Sequence, residues 1–170
     1  MKPIYLEMNF FGPHAHSEID FRELDEAPLF LISGDTGAGK STIFDAMTYA
    51  LFDKTTGDRE AKAMRSQFAQ PDQVTEVTFY FEQGNFLYKI TRRPEQELFK
   101  KRGTGTTTSK SQASLAIVDT VFGLERASLA TKPVEVVNEI ENLLNLSAEQ
   151  FKKIILLPQN DFSKFLKSDT

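Results

Sequence analysis

Alternating apolar and polar residues open the chain and predict an antiparallel sheet. Between Lys2 and Phe10, the side chains of Ile4, Leu6 and Met8 fall on one face of an extended strand. This pattern is typical of a sheet with one buried and one exposed face. The segment FFGPHAH predicts a turn, and SEIDF predicts the partner strand.

A second apolar pattern, without alternation, follows shortly afterwards. The run PLFLIS, residues 28–33, is apolar at consecutive positions, which favours a central strand covered on both faces. It leads into a glycine-rich segment, after which Ile43, Met47 and Leu51 recur at helical spacing. The pattern therefore predicts a strand, a glycine-rich loop and a helix, in that order.

The middle of the chain predicts a hairpin and a further strand. TEVTFYFE and FLYKITRR flank QGN, where Gly84 and Asn85 suit a tight turn. Residues 94–112 are polar, rich in Gly, Thr and Ser, and locally basic, so we expect a long flexible loop or an extended hairpin tip. ASLAIVDT predicts another strand.

Helical spacing returns towards the C-terminal end. Apolar residues from Pro133 onwards predict one helix, and Ser147 with Gln150 form a capping box ahead of a second. Pro158 is expected to end or kink that second helix.

The glycine-rich segment GDTGAGKS matches every position of the phosphate-binding pattern G-x-x-x-x-G-K-[ST]. Its glycines let the backbone approach a phosphate closely, and its amides point at an anion at the helix N-terminus. Lys40 would place its charge between the β- and γ-phosphates, and the Ser41 hydroxyl suits Mg²⁺. We expect a nucleotide to be held by Gly34, Asp35, Thr36, Gly37, Ala38, Gly39, Lys40, Ser41 and Thr42.

Composition excludes several other classes of site. The chain has no cysteine, so neither a disulfide framework nor a zinc–thiolate site can form. A net charge of −4 gives no global reason to expect DNA or an anionic membrane. The N-terminal segment alternates and carries Glu7, which is unlike a signal peptide or a membrane span. We therefore expect a cytoplasmic protein with no membrane partner.

An ATPase of this kind also needs an acidic residue on a neighbouring strand to hold Mg²⁺, usually together with a carboxylate base. The strand LAIVDT offers Asp119, but an aspartate that closes a strand before a turn is commonly structural. We predict a structural role for Asp119 and a local partner for Asp45. His14 and His16 lie in a turn, and without further partners they do not make a convincing metal site.

The chain resembles the SbcC family, the ATPase subunits of bacterial double-strand nucleases and relatives of the structural-maintenance-of-chromosomes proteins. The resemblance rests on NFFGPHAHSEIDF, GDTGAGKSTIFDAMTYALF, GDREAKAMRS and ILLPQNDFSKFL, which occur in the family's order over nearly the whole chain. LLPQ with the acidic-aromatic turn after it is more specific than the phosphate loop. The family often has Gly-Glu where Asn160 and Asp161 stand, and an aromatic residue at His14.

The resemblance implies an α/β fold of the P-loop NTPase type. The expected architecture is a mixed sheet holding the phosphate loop, with an antiparallel β lobe and helices beside it. Residues 1–170 would be the N-terminal half of an ABC-type ATPase head, cut before a long coiled coil. The acidic metal ligand, the base and the signature motif would lie in the C-terminal half.

The resemblance also implies cofactors and residue roles. ATP and Mg²⁺ are the expected cofactors, with Lys40 and Gln159 as catalytic residues. Gln159, by itself an ordinary turn glutamine, matches the position whose carboxamide reaches Mg²⁺ and the attacking water, so Ser41 and Gln159 are the expected metal ligands. Arg65 and Ser66 would lie near the base and sugar, where Arg65 could stack or pair. His14 would lie at the rim of the nucleotide site.

The partners implied by the resemblance are the C-terminal half of the same protein, an SbcD-like nuclease subunit, double-stranded DNA and a second head in an ATP-dependent dimer. DNA phosphates would need a local basic patch. The candidates are Arg92, Arg93, Lys100, Lys101, Arg102 and Lys110. Nearby glutamates dilute their charge, which favours a solvated loop over a DNA contact.

Two other functions remain open from the sequence. A small P-loop kinase also fits about this length, although such kinases have parallel sheets and a lid with paired arginines. A non-catalytic module that uses nucleotide as a dimerisation switch is the second alternative.

Overall fold

The computed structural model describes residues 1–25, 31–57, 59–100 and 102–155, and most of its strands belong to one antiparallel sheet. The strands are β1 (Lys2–Phe11), β2 (His14–Asp20), β3 (Glu76–Gln83), β4 (Phe86–Arg93), β5 (Gln96–Phe99), β6 (Thr106–Ser109), β7 (Gln112–Val118) and β8 (Glu125–Ala130). Six of them pair antiparallel in the order β2-β1-β3-β4-β7-β8, and β5 pairs with β6 in a separate hairpin.

Within the described ranges, three α-helices accompany the sheet: α1 (Lys40–Phe52), α2 (Pro133–Leu144) and α3 (Ala148–Ile155). Short 3₁₀ turns cover Phe21–Leu24 and Ala61–Met64. None of the helices in the described ranges is long and apolar enough to cross a membrane.

The main core lies between one face of the large sheet and the helices. Alternate side chains of β1, β3, β4 and β7 form a single buried cluster with residues of all three helices. Leu6, Phe79, Ile90 and Leu115 are completely buried in it. Burying a side chain of this size contributes about 1.5–3 kcal/mol to stability. The period-two pattern of apolar residues therefore determines which face of the sheet packs against the helices.

The structure corrects the prediction that Ile4 shares a face with Leu6 and Met8. The register between β1 and β3 shifts between Pro3 and Tyr5. Such a bulge turns the side chains before it towards the other face. Ile4 therefore packs in a second, smaller cluster on the opposite side of the sheet, together with Tyr5, Tyr80 and Val118.

Several local predictions are confirmed. The hairpin between β3 and β4 turns at Gly84, whose φ is 60°, and α2 begins at Pro133. In the capping box, the Ser147 amide donates to Gln150 Oε1 at 2.9 Å and the Gln150 amide donates to Ser147 Oγ at 3.3 Å. For residues 94–112, the described residues include the paired strands β5 and β6, in agreement with the extended-hairpin alternative, and the flexibility of this segment stays a prediction.

The predicted central strand over residues 28–33 is not formed at residues 31–33, which have no regular secondary structure. Residues 28–30 lie outside the described ranges. Leu31 is 88% exposed. A strand covered on both faces needs hydrogen-bonded neighbours, and no strand in the described part of the chain pairs with this segment. The parallel pairing of a mixed sheet thus stays a prediction.

Candidate functional site

The glycine-rich segment forms an exposed loop that leads directly into α1. Gly37 and Gly39 adopt φ angles of 88° and 87°, a region that a Cβ strongly disfavours. Gly39 is the N-cap of α1 and carries no capping side chain. The first turn of the helix therefore presents its own backbone amides to the loop.

Most of these amides are available to a ligand. The Ala38 amide donates to the Asp35 carbonyl at 3.2 Å, and the Thr42 amide donates to the Gly39 carbonyl at 3.0 Å. Other amides have no acceptor among the residues that the structure describes: Gly37, Gly39, Lys40 and Ser41. Free amides at the N-terminus of a helix form a site for an anion such as phosphate.

The Lys40 ammonium closes one side of this loop. Its Nζ donates to the carbonyls of Gly34 at 2.6 Å and Asp35 at 2.7 Å. A phosphate oxygen would be a stronger acceptor than these neutral carbonyls because it is charged. The Ser41 side chain is exposed and makes no hydrogen bond within the described ranges, so its hydroxyl is free to bind Mg²⁺. The loop therefore has side chains suited to both a phosphate and Mg²⁺.

The turn between β1 and β2 packs against the phosphate loop. His14 Nε2 lies 3.2 Å from the Gly39 carbonyl oxygen, and His14 Nδ1 lies 2.8 Å from Ser17 Oγ. A Cβ on Gly39 would lie 2.5 Å from His14 Nε2 and 2.7 Å from Pro13 Cγ. Gly39 is thus required for the close approach of the turn as well as for its backbone angle.

Residues 5–170 match the AAA domain family. The chain belongs to this family. The match shows the α/β class of P-loop NTPases, and it agrees with the loop, the helix and the antiparallel sheet described above. The phosphate loop lies within the matched residues of this AAA domain.

Curated proteins similar to this AAA domain confirm the resemblance to SbcC. The chain is 71% identical over 170 residues to the SbcC subunit of the SbcCD nuclease from Lactococcus lactis. It is 44% identical over 172 residues to the same subunit from Vibrio cholerae, and 42% over 171 residues to that from Staphylococcus aureus. These alignments cover the whole chain but only 16–17% of each relative.

The segment that contains Arg65 and Ser66 is fixed to the end of β1. The Ser66 amide donates to the Phe10 carbonyl at 2.8 Å, and the Gly12 amide donates to the Met64 carbonyl at 2.6 Å. Ser66 is buried, with 4% of its surface exposed. The segment therefore lies beside the turn that packs on the phosphate loop.

The Arg65 guanidinium is engaged in a structural network of this AAA domain. Its acceptors, at 2.7–2.9 Å, are the carbonyls of Gln70 and Gln73, Thr75 Oγ1 and Gln96 Oε1. The same Gln96 oxygen accepts the Thr75 amide at 2.7 Å. Arg65 thus joins the base of the β5–β6 hairpin to the segment next to the loop, and its contact with a base or sugar stays a prediction.

The two acidic residues considered from the sequence have the structural roles predicted for them. Asp45 Oδ1 accepts the Thr56 amide at 2.8 Å and also the Thr56 hydroxyl. Asp119 follows β7, which lies between β4 and β8, and its Oδ1 accepts the Thr120 amide at 2.8 Å. Both carboxylates thus have local hydrogen-bond partners.

His16 has carboxylate neighbours that the sequence did not reveal. The ligand atoms of Glu7, His16 and Glu18 lie within 4.8 Å of one another. Glu7 faces Glu18 across β1 and β2, so sheet register and not sequence spacing brings them together. His16 Nε2 lies 3.1 Å from Glu18 Oε1 and Nδ1 lies 2.7 Å from Asn9 Oδ1, so the ring already has a partner on each nitrogen.

The structure corrects the inclusion of Arg92 in a basic surface, because Arg92 is 1% exposed. Arg93 is paired with Glu76. Lys100, Arg102 and Lys110 are exposed around the β5–β6 hairpin. Lys101 and Gln159 lie outside the described ranges, so the predictions for these two residues are not tested by the structure.

The contact between His14 and Gly39 predicts different effects for two glycine substitutions. Gly37→Ala places a Cβ in open space, so we expect it to lower the free energy of unfolding only by the cost of a left-handed residue, about 1–2 kcal/mol. Gly39→Ala adds a steric clash and should cost clearly more. Urea unfolding of both variants measures the difference, and equal losses would contradict the role of the contact.

Proposed function

We propose that this AAA domain is the ATP-binding half of an SbcC-type ATPase, in an ATP-dependent nuclease complex for double-stranded DNA that acts in repair and recombination. The observation that carries the proposal is the exposed loop with free amides and Lys40. It is supported by 71% identity to a protein named as the SbcC subunit of the SbcCD nuclease.

In this proposal the residues of the loop bind and orient the triphosphate. The free amides and Lys40 hold the β- and γ-phosphates, and the oxygens of Ser41 and Gln159 hold Mg²⁺. Bound Mg²⁺ would supply charge that stabilises the phosphoryl group as it is transferred to water. The roles of Gln159, Arg65 and Ser66 rest on the resemblance to SbcC.

The proposed ATPase is completed by other chains or segments. Asp45 and Asp119 are engaged in structural hydrogen bonds, which supports a source elsewhere for the metal-binding acid and the base. We place them in the C-terminal half of the same protein. The remaining proposed partners are an SbcD-like nuclease subunit, a second head that docks in the presence of ATP, and double-stranded DNA, all in the cytoplasm.

The antiparallel order of the sheet argues against the kinase alternative, because small P-loop kinases have parallel sheets. The free amides and Lys40 would also suit a non-catalytic dimerisation module that binds nucleotide. ATP hydrolysis by the complete protein would distinguish an ATPase from that module. Phosphate transfer to nucleoside monophosphates or shikimate would support the kinase alternative.

We expect the 170-residue chain alone to show negligible ATP turnover and to gain activity when the C-terminal half is added. Lys40→Ala should abolish that activity, because the loop loses its only ammonium. Phosphate release by each half and by the mixture is the measurement. Robust turnover by the isolated chain that depends on Lys40 would show that it contains its own catalytic acid.

In the complete protein, Gln159→Ala should bind ATP within a few-fold of wild type but hydrolyse it on the order of 10²–10³ times more slowly, as expected when one positioned polar group is lost. The amide is neutral and contributes little to holding ATP. Gln150→Ala is a matched control, since this glutamine caps α3. Normal turnover in Gln159→Ala would remove Gln159 from the site.

DNA contact by the assembled head is expected to depend on salt and not on sequence. Replacing Lys100, Arg102 and Lys110 by alanine should weaken binding and lower the slope of affinity against salt by up to about three, since each phosphate contact contributes about 0.9. The control with the same charge change replaces three cations that are exposed and paired with carboxylates: Lys62, Arg126 and Lys132. An unchanged salt slope in the variant of Lys100, Arg102 and Lys110 would show that these cations face solvent and do not contact DNA.

A further inference from the structure

Arg92 is the largest fully buried side chain in the described part of the chain, and it lies under helix α1. Its Nε donates to the Ala50 carbonyl at 3.0 Å. Its NH1 lies 3.5 Å from Asp53 Oδ2, and its guanidinium carbon lies 5.9 Å from the centroid of the Tyr49 ring. One residue of β4 therefore contacts three residues at the C-terminal end of α1.

Stability alone does not account for this arginine. Its NH1 and NH2, and the Tyr49 hydroxyl, are buried without hydrogen-bond partners within the described ranges. Burial lowers the pKa of Arg92 and raises the pKa of Asp53, so their attraction does not offset the loss of hydration. Replacing such a buried ion pair by apolar side chains is often neutral or stabilising.

The contacts of Arg92 fix the end of α1 opposite the phosphate loop. The Ala50 carbonyl belongs to the last turn, where helix carbonyls lack a partner within the helix. Asp53 ends the helix in a left-handed conformation with φ of 59°, and its amide donates to the Tyr49 carbonyl at 2.9 Å. A cation is also favoured at this end by the helix dipole.

Tyr49 continues the contact towards the loop. Its ring stacks on Phe11, with centroids 5.5 Å apart and an interplanar angle of 23°. Phe11 ends β1 and is followed by Gly12, where an added Cβ would lie 2.8 Å from Thr42 Cγ2. Arg92, Tyr49 and Phe11 thus form a continuous buried column from β4 to the turn that packs on the phosphate loop.

We propose that Arg92 is a positioning residue for the phosphate loop, which acts through the column of Tyr49 and Phe11 and through the end of α1. It holds the helix and the β1–β2 turn in one relative position. The loop amides therefore keep their arrangement although most of them have no acceptor within the described residues. The expected effect of Arg92 on nucleotide affinity rests on the proposed function, whereas its expected effect on the order of the loop backbone does not.

The test compares Arg92→Met, which removes the charge and keeps much of the volume, with Arg93→Met at the neighbouring exposed position. In the full-length protein without nucleotide, we expect Arg92→Met to raise hydrogen exchange of the hydrogen-bonded backbone amides around the loop, those of Gly12, Ala38 and Thr42. It should also weaken Mg-ATP affinity by about ten- to a hundredfold, as expected when one charge-assisted hydrogen bond to a phosphate is lost. Turnover at saturating ATP should change much less. Arg93→Met should match wild type in all three.

Two further variants keep the test decisive if Arg92→Met does not fold. Phe11→Leu interrupts the column without touching the charge and should raise exchange in the same residues. Tyr49→Phe removes only the unpartnered hydroxyl and should behave as wild type. Unchanged exchange around the loop in Phe11→Leu and in any folded Arg92→Met protein would overturn the proposal. Failure of the wild-type protein to bind Mg-ATP would overturn the proposed function instead.

Discussion

A phosphate loop can bind an anion only if its backbone amides are left free, and the other contacts of this site follow from that constraint. A loop with few internal hydrogen bonds needs support from its neighbours. Here the support comes from the close contact of Gly39 with His14, from buried Thr42 next to Gly12, and from the packing of α1 on the sheet. The antiparallel sheet therefore supports the phosphate loop through these contacts.

The elements that the sequence predicted well depend on local signals. The alternation in β1, the QGN turn and the capping box of Ser147 and Gln150 each act within a few residues. The phosphate loop is predictable for the same reason, because its function requires glycine, lysine and a hydroxyl at fixed spacing. Fold class and loop residues could thus be derived before any coordinates.

The features that the sequence did not reveal depend on distant neighbours. The bulge that redirects Ile4 is a property of the pairing between β1 and β3. The run TRRPE predicts a surface cation at Arg92, yet the strand's alternation points it under α1. The three groups around His16 come from two strands, and the apolar run before the loop has no partner strand in the described residues. Pairing and register, which are not local properties of the sequence, decide the cases of Ile4, His16 and the apolar run. For Arg92 the period of two in β4 is a local signal of burial.

The attachment of the β5–β6 hairpin has a mechanical consequence. Gln96, at the base of the hairpin, is 5% exposed, and its side chain exchanges hydrogen bonds with the Thr75 backbone while accepting from Arg65. Tilting the hairpin would break several of these bonds at once in a place that water reaches poorly, and each unmet buried group costs about 1–3 kcal/mol. The base of the hairpin is therefore held in one position relative to the segment beside the phosphate loop. A force on the hairpin strands would reach that segment through the hydrogen bond between Gln96 and Arg65.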